Sequence, residues 1–265
     1  MTTNTFKKPL KHLWLPAMLA LGLALLPQSI DAKAKNGPKA TFVKGKVEYG
    51  ASQDGKFKKL KRKKKVPAGN YVRTGADSRA ELTFADGSVI RLGPSSLLHI
   101  AESGFSAKTK TVNVEATLMG GKAWSKVSKL VGSDAKFSVK TQNAVAGVRG
   151  TIFRLDTDKD DATVVKVYDG SVAVSNAPFF ANKDKSPEST TPFNPKNRKQ
   201  IAAPFQEISR KDWEQLVGRM MQVKVAANGQ MSEAIAFNAE EDKKSDDAEW
   251  VNWNEACDKG DCGSY

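Results

Sequence analysis

Two histidines and two cysteines are all that 265 residues contain, which leaves little material for a metal centre or a nucleophile–base pair. His12 lies in an apolar leader, and His99 stands alone in Leu97-Leu98-His99-Ile100, a strand context that reads as structural. There is no Gly-x-Ser-x-Gly elbow, His-Glu-x-x-His helix, phosphate loop or dinucleotide fingerprint. Asp158, Asp160 and Asp161 cluster without the spacing of an EF-hand and read as a solvated hairpin tip. The expectation is a non-enzymatic protein with no catalytic residue, cofactor or metal. Long apolar runs are missing too, except one near the start. Leu13 to Leu26 follows Lys7, Lys8 and Lys11 and precedes Ile30-Asp31-Ala32 or Ala32-Lys33-Ala34 as the cleavage site, the layout of a cleaved signal peptide over 1–32, with a retained anchor as the alternative. The run is short for a comfortable transmembrane helix. The mature chain is therefore expected to be periplasmic or extracellular, without a transmembrane segment, and free to contact a membrane only peripherally.

What the chain has in excess is positive charge. The net charge is +13, and removing residues 1–32, with three lysines and Asp31, leaves +11. A basic exported protein is drawn to anionic envelope polymers, lipopolysaccharide or anionic headgroups. Nucleic acid has the same electrostatics but is rarely met by an exported chain. The charge is densest at Lys56-Phe57-Lys58-Lys59-Leu60-Lys61-Arg62-Lys63-Lys64-Lys65. Such a run reads as a solvated loop or long hairpin arm. Lys58, Lys59, Lys61, Arg62, Lys63, Lys64 and Lys65 are the candidate contacts for an anionic partner, against the blander reading of a loop with no specific role. The last 27 residues invert the sign: 239–265 carry nine acidic residues against three lysines, a net −6, while 33–238 carry +17. With few aliphatic residues this tail is expected to be largely disordered apart from Trp250 and Trp253, and to fold back on the basic domain and screen it. Cys257 and Cys262 sit in it. In an oxidising compartment an isolated pair reads as a disulfide, with free thiols or a metal site using Asp258 and Asp261 as alternatives.

Helical periodicity is absent from 41 to 176. The span instead alternates apolar and polar residues in short runs broken by Gly, Asp and Ser, which predicts all-β structure. The runs are 41–48, 70–73, 79–84, 89–92, 97–100, 111–116, 122–127, 136–140, 152–156, 163–168 and 171–174. Asp86-Gly87-Ser88 and Asp169-Gly170-Ser171 each follow an alternating strand and read as hairpin turns. This echo suggests a pseudo-symmetric or partly solenoid-like stack, the alternative being a hairpin-rich domain that simply reuses Asp-Gly-Ser turns. The proline-bearing segment 177–204 reads as a linker after a flexible lead-in at 33–40. Within 205–238, Ser209 followed by Trp213, Leu216, Val217, Met220 and Met221 at helical spacing predicts one C-terminal amphipathic helix over about 210–224.

The ordered set of turns resembles the FecR domain family. Val66-Pro-Ala-Gly69-Asn70 leads to Thr74-Gly75, then Ser78-Arg-Ala-Glu-Leu82-Thr-Phe84-Ala-Asp86-Gly87-Ser88, and Leu92-Gly-Pro94. Leu118-Met-Gly-Gly121-Lys-Ala-Trp124 resembles the family's central glycine and aromatic strand. Gly147, Val148, Arg149, Gly150, Thr151 and Phe153 close the match as a sharp glycine-bounded turn that launches a strand. In this motif Arg149 reads as a brace for the turn, or as a cation on a binding face. Over about 41–176 the resemblance implies an all-β stack of short antiparallel strands and hairpins outside the cytoplasm. In signalling members such a domain follows a cytoplasmic anti-sigma segment and a transmembrane helix. Here about twelve residues precede the apolar run, and no transporter-contacting domain is recognisable after 176. The leading expectation is accordingly a binding or scaffolding module that meets an envelope protein or anionic polymer. The alternative is a periplasmic component of a FecR-type signalling system acting through a membrane regulator.

Overall fold

The structure is a computed structural model that describes residues 1–2, 37–106, 108–109, 111–129, 136–158, 160–176 and 214–264. The strands and helices described all lie in the unit 31–265. The expected signal peptide, the 177–204 linker and the start of the expected helix, with Ser209 and Trp213, lie outside the described residues. Among the described residues no helix is long and apolar enough to cross a membrane.

The domain is all-β, with sixteen strands in two sheets among the described residues. Sheet I takes, in order, β1 (Lys39–Lys44), β5 (Arg79–Thr83), β6 (Val89–Leu92), the end of β8 (Thr111–Lys126), β11 (Ile152–Thr157), β12 (Thr163–Asp169), β15 (Met221–Val225) and β16 (Ile235–Ala236). Sheet II takes β3 (Lys58–Lys59), β2 (Val47–Gly50), β4 (Tyr71–Thr74), β7 (Leu97–Ser106), the start of β8, β9 (Lys136–Lys140), β10 (Ala144–Val148), β13 (Val172–Asn176) and β14 (Glu214–Val217). Both sheets grow in nearly the order of the chain. The backbone passes back and forth between them, so each new pair of strands covers the previous one, the quasi-one-dimensional logic of a solenoid. β8 belongs to both sheets. It crosses at Gly121, whose φ of 88° and closeness to Ser96 (a Cβ there would lie 2.3 Å from Ser96 Oγ) admit only glycine. Alternate residues of the two sheets share one core cluster that includes Val72, Leu82, Ile90, Leu98, Leu118, Phe153, Val165 and Val174.

Three sequence expectations need correction. Asp86-Gly87 does close a hairpin between β5 and β6, but Asp169-Gly170 does not. There β12 leaves sheet I and β13 enters sheet II, so a local hairpin signal is overridden by the sheets' demand for alternation. Gly147 lies inside β10, paired with Ser138 and Ala173. The sharp turn is confined to 149–151, where Gly150 has φ 63°. Finally, 214–225 is not a helix. Its apolar spacing belongs to β14 and β15, separated by a turn in which Met220 has φ 59°. Val217, Val223 and Val225 enter the core while Leu216 is 71% exposed, the alternation of strands and not the stripe of a helix.

The C-terminal helix that accompanies the β-fold lies further on, in the acidic tail expected to be disordered. α1 (Ala239–Asp242) is capped by Asn238, whose side chain accepts from Glu240 N. α2 (Ala248–Asp258) buries Trp250, Val251, Trp253, Asn254 and Cys257. The tail is ordered because sheet I supplies the apolar cover and the countercharges that its own composition lacks.

Candidate functional site

Two cationic surfaces stand on this framework, and they are treated in opposite ways. The first is the outer face of sheet I. Glu81, Arg91, Trp124, Arg154 and Lys166 are successive register partners across β5, β6, β8, β11 and β12, so their side chains form one cross-strand row. The tail lies over this row. Asp258 receives Arg91 Nη1 at 2.7 Å and Trp124 Nε1 at 3.0 Å, and its carbonyl receives Lys126 Nζ at 2.9 Å. Arg91 Nε also donates to Glu81 at 2.8 Å. Asp247 pairs with Lys122 and Arg154. Asp242 takes Lys166 at 2.5 Å and the Tyr168 hydroxyl, with Arg154 Nη1 at 3.5 Å. Glu249 pairs with Arg79 at 2.5 Å. The six cations Arg79, Arg91, Lys122, Lys126, Arg154 and Lys166 meet two carboxylates on the sheet itself, Glu81 and Asp156. The tail's Asp242, Asp247, Glu249 and Asp258 bring the set to neutrality.

The electrostatics follow from burial set against pairing. Arg154 is buried, which disfavours its charge, but Asp156 and then Asp247 outweigh this and push its pKa up. Burial raises the Asp156 carboxyl despite Arg154. Burial pushes Asp247 up as well, yet Lys122 and Arg154 hold it below the usual carboxylate range. Burial, followed by the Asp242 charge, pushes the Tyr168 phenol up. Asp247 occupies the N-cap position of α2 but makes no capping hydrogen bond, because its oxygens face Lys122 and Arg154. Here an ordinary helix device is given over to docking.

Apolar contact completes the strap. Trp250 and Trp253 join Trp124, Val251 and Cys257 in a cluster apart from the main core, with Phe42, Ile152, Tyr168 and Cys262 at its edge. Gly93 lies below Trp250, and a Cβ there would come within 3.4 Å of the indole ring. Cys257 and Cys262 are joined in a disulfide at the end of α2. Their sulfurs lie near a Glu81 carboxylate oxygen, but a disulfide offers no thiolate to a metal. The fit is incomplete. Arg79 Nη1, Trp250 Nε1, Trp253 Nε1 and Asn254 Oδ1 are buried without a hydrogen-bond partner, each costing about 1–3 kcal/mol, and Arg154 Nη1 has the Asp242 ion pair at 3.5 Å but no hydrogen bond.

The second surface is the lysine arm. Lys58, Lys59, Lys61, Arg62, Lys63, Lys64 and Lys65 are all exposed, and none forms an ion pair among the described residues. The arm is nonetheless built into the fold. Leu60, in the middle of the charge run, and Val66 are fully buried. Leu60 N bonds to Val47 O, Lys63 N to Ala40 O and Ala40 N to Lys64 O at 2.7–2.8 Å. Arg62 Nε donates to Thr41 O at 2.8 Å. β3 joins the edge of sheet II while 63–64 lie along β1 of sheet I, so the arm closes the first end of the stack. The sequence placed these cations on the surface but did not mark Leu60 as a core residue. A cavity at its foot, lined by Lys65, Phe84, Asp86 and Phe105, holds about 120 Å³, well below the ~300 Å³ of ordinary small-molecule sites. An open groove of about 620 Å³ runs between Lys166, Gln222, Phe237 and α1.

The remaining predicted residues are structural in placement. The turn of the motif, at 149–151, is a sheet-switching corner packed on the next one: Thr151 Oγ1 donates to Ser171 O at 2.8 Å and to Arg149 O at 3.1 Å. Thr74 Oγ1 does the same for Gly93 O at 2.6 Å. Arg149 is exposed, Val148 is buried and Phe153 is fully buried. His99 stacks on Tyr71 at 4.3 Å. Asp158 caps the β11–β12 tip by accepting from Asp160 N and Ala162 N.

These features define a double-sheet, corner-linked β-module with a helical strap bound to one face. Residues 70–173 match the family model described as FecR protein, and the chain carries a FecR domain there. The match begins at β4, so β1, β2 and the arm precede it. Two crystal structures described as a "putative anti-sigma factor" from Parabacteroides distasonis ATCC 8503 resemble the chain at 18% and 16% identity, each with a TM-score of 0.41. In both cases the similarity covers 63% of this chain and spans 60% of the other. No curated protein matches it.

Proposed function

We propose that this chain is a non-enzymatic, exported binding or scaffolding module of the bacterial cell envelope, and that its lysine arm contacts an anionic polymer or the acidic face of an envelope protein. The observation that carries this reading is the contrast between the two surfaces. The tail's carboxylates are spent on the cations of sheet I, while seven arm cations stay exposed and without ion pairs among the described residues. A backbone laced to β1 and β2 presents them with little ordering cost on binding. Lys61, Lys63, Lys64 and Lys65→Gln removes four charges without touching the buried Leu60 and Val66. At about 1 kcal/mol per basic residue near an anionic surface, affinity for lipopolysaccharide or an acidic glycan is expected to fall by at least ~100-fold, and wild-type binding to weaken with salt. Binding that survives both changes refutes the arm's role. The FecR domain favours a second reading, a component of FecR-type signalling that acts through a membrane regulator. That reading expects the gene beside an extracytoplasmic sigma factor or transporter, and an unrelated neighbourhood would count against it.

A further inference from the structure

We propose that the outer face of sheet I, centred on Arg91, Trp124, Arg154 and Lys166, is a recognition site for an acidic, tryptophan-bearing helical segment of a partner protein. Residues 239–264 are its resident occupant in cis.

Four observations combine. The strap's apolar cluster is separate from the main core, and among the described residues the core cluster contains none beyond Val225, with Met231 at its margin. The strap therefore sits on a face whose supporting fold is complete without it. Without the tail the face is cationic, six cations against two carboxylates, and under the tail Arg79, Arg91 and Arg154 are nearly inaccessible. Its ligand must supply negative charge. Asp247 turns away from capping its own helix to meet Lys122 and Arg154, as an interface residue does. Finally, Arg79 Nη1 is a buried donor without a hydrogen-bond partner, and Arg154 Nη1 has only Asp242 as an ion-pair partner at 3.5 Å, without a hydrogen bond. A partner helix carrying a further carboxylate or amide oxygen at these points satisfies donors of the face that the tail serves poorly. That surplus is what lets a partner displace a tethered segment of high effective concentration. Among the described residues the strap is joined to the sheet by the two-residue β16, so release breaks few of the backbone bonds described. This surface is distinct from the lysine arm and does not rest on the function proposed for it.

The test uses the full chain with a protease site inserted between Phe237 and Asn238. After cleavage the tail is expected to remain bound at low salt, to exchange with a fluorescent peptide of residues 239–264 in its disulfide form, and to leave the β-sheet circular dichroism unchanged. A peptide with Asp242→Asn, Asp247→Asn, Glu249→Gln and Asp258→Asn is expected to compete at least ~100-fold less well. The proposal is overturned if the labelled peptide does not exchange, if the domain unfolds as the tail departs, or if the neutralised peptide competes equally. Displacement by dextran sulfate as effective as by the peptide would overturn the assignment to a protein segment. A second, uncleaved variant with Trp250→Ala and Trp253→Ala loosens the resident tail and is expected to take up labelled peptide that the wild type excludes. Equal behaviour of the two overturns the proposal as well.

Discussion

Arg154→Met tests the strap at its most connected point. The Arg154 side chain is 3% exposed and faces Asp156, Asp242 and Asp247, with Lys122 and Lys166 as the other cations. Three cations and three carboxylates become two and three. Removing one partner of a buried ion pair costs about 3–5 kcal/mol, because the opposite charge is left behind in a poor solvent. Two of the stranded carboxylates belong to the tail and reach water if the strap lifts, so the cost is expected to appear first as opening of 239–264 and only in part as loss of the β-domain. Urea titration by tryptophan fluorescence, with limited proteolysis of the tail, separates the two. The pH dependence has a definite sign. Asp156 is already raised by burial, and losing Arg154 raises it further. A folded pKa above the unfolded value of ~3.9 is a penalty that is full at neutral pH and vanishes as pH falls through the folded value. The gap between variant and wild type is therefore expected to narrow from pH 7 toward pH 4, and Asp156→Asn is expected to relieve part of it. A loss below about 1 kcal/mol with an intact, protease-resistant tail would refute the reasoning, as would a gap that widens in acid.

Trp253 is fully buried between Phe42 and Trp250, and Trp253→Ala is expected to cost about 3–5 kcal/mol or the whole docking free energy of the strap if that is smaller; protease release of the tail at unchanged β-domain stability measures which. Gly170 has φ 82°, and a Cβ there would lie 2.9 Å from Gly150 O and Thr151 Oγ1. Gly170→Ala is thus expected to lose about 2 kcal/mol or more, whereas Gly147→Ala, with its nearest neighbour at 3.8 Å, changes the thermal midpoint little. Lys122 and Arg154 depress Asp247 against its burial, so its contribution is present above the unfolded pKa of ~3.9 and lost as pH falls through the lower folded value. Asp247→Asn is expected to loosen the tail at neutral pH and flatten this acid limb of a fluorescence titration; an unchanged limb would contradict the pairing.

Much of the fold was legible because strand alternation and turn residues are local properties. β5, β6, β9, β11 and β12 fall within a residue or two of their expected bounds, and the Asp86-Gly87 hairpin is where the dipeptide suggests. Illegible were the features decided by partners far along the chain. Asp169-Gly170 has the same local chemistry as Asp86-Gly87 but makes a corner, because β13 finds β10 and β14 in the other sheet. The spacing of Leu216, Val217, Met220 and Met221 fits a helix as well as two short strands, and only β12 and β13 decide between them.

The candidate site divides in the same way. Composition alone determined that a basic domain carries an acidic tail with two tryptophans, and that a run of lysines stands near its start. Opposite charge in one chain predicts attraction, and attraction does not depend on topology. Which cations the tail neutralises was decided only by tertiary structure. Arg91 and Arg154 are 63 residues apart in the numbering and become neighbours of Trp124 through β-sheet register. Register comes from the packing of the opposite, apolar face. Among the described residues the lysine arm forms no ion pair, and that difference, invisible in the sequence, is what separates the two surfaces.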